Sequence, residues 1–142
     1  MTLGFRLWAL GLAAALGVSV TLRAQETAKA TVWDKVYTDE QAKRGEAVYA
    51  KTCAACHGEA LIGGNAPPLK GEEFAFVWGN KPLGELFERM KTLMPPEGPD
   101  GLPKETYRDI TAFVMKANNY PSGEKELPAE QDALNKIFIT TK

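Results

Sequence analysis

The sequence predicts an all-α protein, with three main helices joined by long loops rich in glycine and proline. Three observations point there. Stretches around 38–53, 82–93 and 103–118 repeat apolar residues at spacings of three and four, the period of a helix that buries one face. Chain breakers are dense between them, with Gly58, Gly63, Gly64, Pro67, Pro68 and Gly71 in one interval and Pro95, Pro96, Gly98, Pro99 and Gly101 in another. Helix-start signals stand where the periodic stretches open: Thr38 with Gln41, then Pro82, then Pro103.

The chain opens with Arg6 and an apolar run over residues 7–22 that ends near Arg23-Ala24-Gln25. This is the pattern of a secretory signal peptide, so residues 1–24 are read as a leader, cleaved after Ala24 or at the small residues Ala28 or Ala30. Left uncleaved, the run would act as a membrane anchor, since it falls only slightly short of the roughly 18 residues of a spanning helix. The remaining residues, about 118, suit one small domain with a single core. Arg6 and Arg23 leave with the leader, so 15 basic residues face 18 acidic ones and the net charge becomes −3. There is no basic stripe and no phosphate-binding motif, and no nucleic-acid partner is expected.

Residues 25–37 read as an amino-terminal extension that Trp33 and Tyr37 staple to the body. The main domain spans 38–120 and a carboxy-terminal tail 121–142. Thr38 and Gln41 form a capping-box pattern, opening a helix through Ala42, Gly45, Ala47, Val48 and Tyr49 into Cys53. The second helix, about Pro82 to Leu93, buries Leu83, Leu86, Phe87 and Met90. It ends before Met94, because Pro95 disfavours helical geometry in the residue ahead of it. The third helix, about Pro103 to Asn118, has Tyr107, Ile110, Thr111, Phe113, Val114 and Ala117 as its apolar face. In the tail a short helix is expected around Pro128 to Ile137, and Ile137-Phe138-Ile139 has no assigned role.

The chemistry is concentrated in Cys53-Ala54-Ala55-Cys56-His57, which holds both cysteines and the only histidine of the chain. Two thiols three positions apart reach the two vinyl groups on one porphyrin edge, and the next residue brings an imidazole under the iron. The pattern reads as covalent attachment of one haem c through Cys53 and Cys56, with His57 as iron ligand. A structural zinc site would want four such ligands where the chain has three. A thioredoxin-type dithiol would sit near a βαβ pattern, and no strand leads into this motif. A structural disulfide leaves the adjacent histidine unexplained.

A second imidazole is not available within the monomer, so the opposite face of the iron is taken by methionine, lysine or nothing. Met94 is the leading candidate, because Pro95 and Pro96 make a stiff loop that holds a ligand at little entropic cost. Met90, one turn earlier, is the substitute. Met90 and Met115 otherwise read as core fillers. A bound thioether favours reduced iron and raises the potential, whereas an open position permits gas or peroxide chemistry.

From about Val32 to Tyr120 the chain resembles the class I c-type cytochromes. The residues that carry the resemblance are Gly45 and Tyr49, then CAACH, then Ala66-Pro67-Pro68-Leu69-Lys70-Gly71, then Leu93-Met94-Pro95, then Ala112-Phe113. The resemblance implies the cytochrome c fold, with the three helices arranged around one covalently attached haem. It also implies that the first and last helices cross closely at Gly45, with Tyr49 and Phe113 packed at the crossing. The carbonyl of Pro67 would accept a hydrogen bond from Nδ1–H of His57, and Trp78 would either donate its indole N–H to a haem propionate or belong to the core. Lys51, Lys70 and Lys81 are either a docking ring around the haem edge or ordinary surface lysines.

More narrowly, Val32-Trp33-Asp34, Val36-Tyr37-Thr38 and the stretch from Met94-Pro95-Pro96 to Ala117-Asn118 look like small bacterial cytochromes that accept electrons from periplasmic dehydrogenases. Lys35 and Asn119-Tyr120 depart from that subgroup, which often has Gly and Asn-Gly there. The expected function is periplasmic electron transfer without catalysis, with a periplasmic dehydrogenase as donor and an oxidase or another cytochrome as acceptor. Membrane contact is expected only if the leader stays. The alternatives are a haem subunit bound tightly to a dehydrogenase and a five-coordinate haem that binds gas or peroxide.

Overall fold

The computed structural model describes residues 29–141. The expected leader and its alternative as an anchor lie outside the described residues. Strand β1 (Ala30–Thr31) runs into a 3-10 turn (Val32–Asp34) and helix α1 (Asp39–Thr52), followed by α2 (Ala54–His57), α3 (Gly71–Trp78), α4 (Leu83–Leu93), α5 (Lys104–Ala117), α6 (Gln131–Leu134) and strand β2 (Ile137–Phe138). None of the helices among the described residues is long and apolar enough to cross a membrane.

Helices α1, α4 and α5 are the three expected ones. The predicted face of α4 is buried in full, and on α5 the residues Tyr107, Ile110, Thr111 and Val114 are buried, joined by Ala112 and Met115. Helix α3 was not expected. Its apolar residues Phe74 to Trp78 are consecutive rather than periodic, and only Phe74 is fully buried while Phe76 stays 90% exposed. A helix with so little buried face leaves no three-and-four signature to find.

The close crossing is between α1 and α5. A Cβ placed on Gly45 would lie 1.9 Å from the backbone oxygen of Asp109 and 2.8 Å from the nitrogen of Ile110, so the two helix backbones touch. Four residues along α1, the Tyr49 ring meets Phe113 with centroids 5.2 Å apart. Beside the contact Arg44 grips Asp109 with two hydrogen bonds of 2.8 and 3.2 Å, and Glu126 from the tail bridges Arg44 and Arg108 at 2.7 and 3.2 Å. The bonds to Asp109 and then Glu126 raise the Arg44 guanidinium pKa still further above its already high ordinary value. This side chain is half exposed, so the network orients the helices more than it stabilises them.

The start of α1 differs from the capping box in an informative way. Thr38 accepts from the Gln41 N–H at 3.1 Å, as expected, but the Gln41 amide does not turn back to cap. It is fully buried and pairs both backbone groups of Leu127, donating to the carbonyl at 3.2 Å and accepting from the N–H at 2.8 Å. Tertiary docking of the tail has taken the side chain that local capping would use.

The tail packs throughout, with Leu127, Leu134 and Ile139 fully buried in the one core cluster. Its short helix is α6, and Ile137-Phe138, left without a role by the sequence, pairs in parallel with β1 in the register Ala30 to Ile137 and Thr31 to Phe138. Trp33 and Tyr37 act as staples. The Trp33 ring stands edge-on to Tyr120 at 4.9 Å and its Nε1 donates to the Thr140 carbonyl at 2.9 Å, while the Tyr37 hydroxyl donates to the carbonyl of Tyr120. Lys35, where the subgroup often has glycine, sits at φ 56°, the left-handed conformation that glycine adopts at least cost.

Two outcomes are expected. Gly45→Ala should destabilise the protein by at least about 3 kcal/mol in denaturant unfolding, because the atoms in the way are backbone and the helices must separate. Burial, with Asp39 adding for Tyr37 and Cys53 for Tyr49, raises both phenols from 10.0 to about 12. The unfolded chain then loses these protons first, so stability is complete below pH 10.0 and falls between there and about 12. Unfolding midpoints measured across that window should drop, and drop less steeply in Tyr37→Phe.

Candidate functional site

Helix α1 ends directly at the cysteine motif. The Cys53 N–H closes the last turn onto the Tyr49 carbonyl at 2.9 Å, and the Cys53 carbonyl accepts from both Cys56 and His57, at 3.2 and 3.0 Å. The motif is therefore one further helical turn. Positions three apart lie on the same face of such a turn, which puts the two half-buried thiols side by side. Neither is in a disulfide. Burial, and then Cys56 beside it, pushes the Cys53 thiol up to about 11.

The breaker-rich stretch after His57 folds back to cap this turn. Helix ends leave carbonyls without partners, and here the carbonyl of Cys56 accepts from Ala66 N–H at 3.0 Å and that of His57 from Gly63 N–H at 2.9 Å. Glycine is required at the bend, since Gly58 has φ 79° and a Cβ there would stand 2.7 Å from the Gly63 oxygen. The Tyr49 hydroxyl donates to the Gly58 carbonyl at 2.7 Å, tying the bend to α1.

The same loop carries Pro67 to the imidazole. His57 is 8% exposed, and its Nδ1 lies 2.7 Å from the Pro67 carbonyl oxygen. A carbonyl only accepts, so the proton of this bond is on Nδ1, which leaves Nε2 as the nitrogen that can face a metal.

Met94 is the C-cap of α4, in extended geometry, with its N–H on the Met90 carbonyl at 2.9 Å. Its own carbonyl accepts from the Tyr107 hydroxyl at 2.7 Å. The sequence marked Tyr107 only as part of an apolar face, and nothing in that periodicity reveals a hydroxyl partner. Met90 and Met115 are buried in the core cluster, whereas Met94 is half-buried and outside it. Trp78 closes α3, packs against the core, carries Lys81 Nζ 5.3 Å from its ring centroid, and lines an open groove with Leu93, the residue before Met94.

A family model described as cytochrome C oxidase, cbb3-type, subunit III matches residues 40–114, from the first turn of α1 to within α5. The chain belongs to this family. It is a c-type cytochrome that carries one haem c, held covalently through Cys53 and Cys56. No match came from the curated proteins or from the solved structures.

The residues of this cytochrome fit the group. Two unpaired thiols share one turn next to an oriented imidazole, and the large apolar side chains Ile62 and Leu93, each near a candidate ligand in sequence, are exposed in the polypeptide alone. The competing chemistries do not fit. A thioredoxin-type dithiol would sit in a βαβ unit, whereas this motif follows directly on helix α1, and among the described residues no group of three or more His, Cys, Asp or Glu is placed to hold a metal ion. Denaturing electrophoresis and intact mass should show haem bound to the wild-type chain and absent from a Cys53→Ala, Cys56→Ala double variant.

Proposed function

We propose that this cytochrome is a periplasmic carrier that shuttles single electrons, with His57 and Met94 as the two axial ligands of its haem. One observation carries the reading. Among the described methionines Met94 alone is outside the buried core, at a helix end whose backbone is fixed on both sides by hydrogen bonds. With a single histidine in the chain, that sulfur is the best-placed second ligand.

When bound, haem c supplies a one-electron couple. The chain's own residues then do three things. His57, its Nδ1–H held by the Pro67 carbonyl, presents Nε2 as a strengthened donor in a fixed orientation. Pro95 and Pro96 limit the freedom of the Met94 loop, and a thioether in that place raises the potential relative to an oxygen or nitrogen ligand. Trp78 and Lys81 together offer an N–H and a cation to a propionate. No substrate-binding step is needed for this role.

The tail bears on the alternative of a permanent dehydrogenase subunit. Its apolar side chains are spent on the cytochrome's own core, which favours a free carrier that meets partners through small, short-lived contacts. The leader pattern of residues 1–24 supports export, and the likeness of Val32-Trp33-Asp34 and of the stretch from Met94 to Asn118 to small cytochromes that serve dehydrogenases supports a periplasmic dehydrogenase as donor with an oxidase or second cytochrome as acceptor.

The oxidised holoprotein should show a sulfur-to-iron charge-transfer band that Met94→Ala abolishes together with a fall in reduction potential. A parent protein that is already high-spin and binds carbon monoxide readily would sink the carrier reading in favour of the five-coordinate one.

A further inference from the structure

We infer that helix α5 sets both axial positions of the haem, with Tyr107 and Asn118 as its positioning residues. The inference deepens the His57 and Met94 assignment and rests on it. At one end of α5 the Tyr107 hydroxyl donates to the Met94 carbonyl at 2.7 Å. At the other, the C-cap residue Asn118 holds the loop that carries Pro67. Its Nδ2 donates to the Leu69 carbonyl at 2.9 Å and its Oδ1 accepts from Gly71 N–H at 3.1 Å.

Leu69 is thereby fixed on both sides, since its N–H donates to the Leu61 carbonyl at 2.8 Å. Only Pro68, whose φ is locked by its ring, separates it from Pro67. Fixing Leu69 therefore fixes the Pro67 carbonyl, and with it the plane of the His57 imidazole.

Helical geometry makes the two grips one device. Tyr107 and Asn118 are 11 residues apart, which is three turns to within about 20° of rotation and about 16 Å of rise, so they occupy one face of a rigid rod. Thr111 and Val114 lie between them on that face. The Thr111 hydroxyl donates back to the Tyr107 carbonyl at 2.8 Å, and Asn118 Nδ2 also donates to the Val114 carbonyl at 2.9 Å. Neither grip serves the helix alone: phenylalanine would fill the Tyr107 site as well, and a C-cap does not require two bonds to a distant loop. The polar atoms are explained by what they hold.

The test uses the holoprotein and begins with the wild-type charge-transfer band, whose absence would mean that the His57 and Met94 assignment itself has failed. With the band present, Tyr107→Phe should bind exogenous imidazole at the iron roughly five-fold more tightly than wild type, the equivalent of one lost hydrogen bond holding Met94 in place. Asn118→Ala should leave imidazole affinity within about two-fold but speed solvent exchange of the His57 Nδ1 proton, read by NMR, by roughly five-fold. If both α5 variants behave as wild type, or if both shift both readouts together as general loosening would, the positioning role is overturned while His/Met ligation stands. Should a variant fail to accumulate with haem, the wild-type protein still decides: a Tyr107 hydroxyl proton protected from exchange supports the grip, and a freely exchanging one overturns it.

Discussion

Everything in this cytochrome is referred to the place where the backbone of α1 touches that of α5. Gly45 permits it, because a single methyl group there would overlap the Asp109 carbonyl. Helix axes normally stay 8–10 Å apart, about the distance ordinary side chains impose, and removing the side chain at one point lets the backbones meet. The consequence is geometric rather than energetic. α1 runs without a break into Cys53, so fixing α1 fixes the haem attachment turn, and α5 faces the loops that bear Pro67 and Met94. One contact thus relates the covalent anchor to the loops that carry Pro67 and Met94.

A second constraint acts within the motif. A four-residue helix such as α2 has almost all its carbonyls unsatisfied, and water would compete for them next to a haem. The glycines and prolines after His57 solve this by letting the chain reverse sharply enough that Gly63 and Ala66 donate to the last carbonyls of the turn. The reversal also delivers the Pro67 oxygen to the imidazole, so capping the helix and orienting the ligand are achieved by the same few residues.

The features written as fixed spacings were legible from the sequence, and those that depend on tertiary choice were not. CAACH with a single histidine identifies the cofactor because no other residue type can substitute in that chemistry. The faces of α4 and α5 follow from a three-and-four period that survives any detail of packing. Gln41 shows the limit: its spacing from Thr38 is that of a capping box, yet its amide is drawn to Leu127, 86 residues away, because a buried pair of backbone bonds outweighs an exposed cap. Tyr107 shows another, since hydrophobic periodicity counts its ring and is blind to its hydroxyl. Ile137-Phe138 became a strand only because Ala30-Thr31 was there to pair with it, a match that no local pattern announces.

The tail also bears on how the protein carries electrons. One end of α1 is fastened by the attachment turn; the other is fastened by the extension and the tail, through Thr38 at the cap, Gln41 on Leu127 and the Ser122 hydroxyl donating to Asp39 at 2.8 Å. A helix held only at its haem end would be free to pivot about Gly45 whenever the charge on the iron changed, and each pivot would shift the imidazole. Fastened at both ends, α1 is held against such a pivot, and the attachment turn with its imidazole is held with it. A fixed attachment turn suits electron transfer through a haem, because the barrier to transfer grows with the movement that accompanies it. The residues farthest from the haem in sequence therefore serve the same end as the ligands themselves.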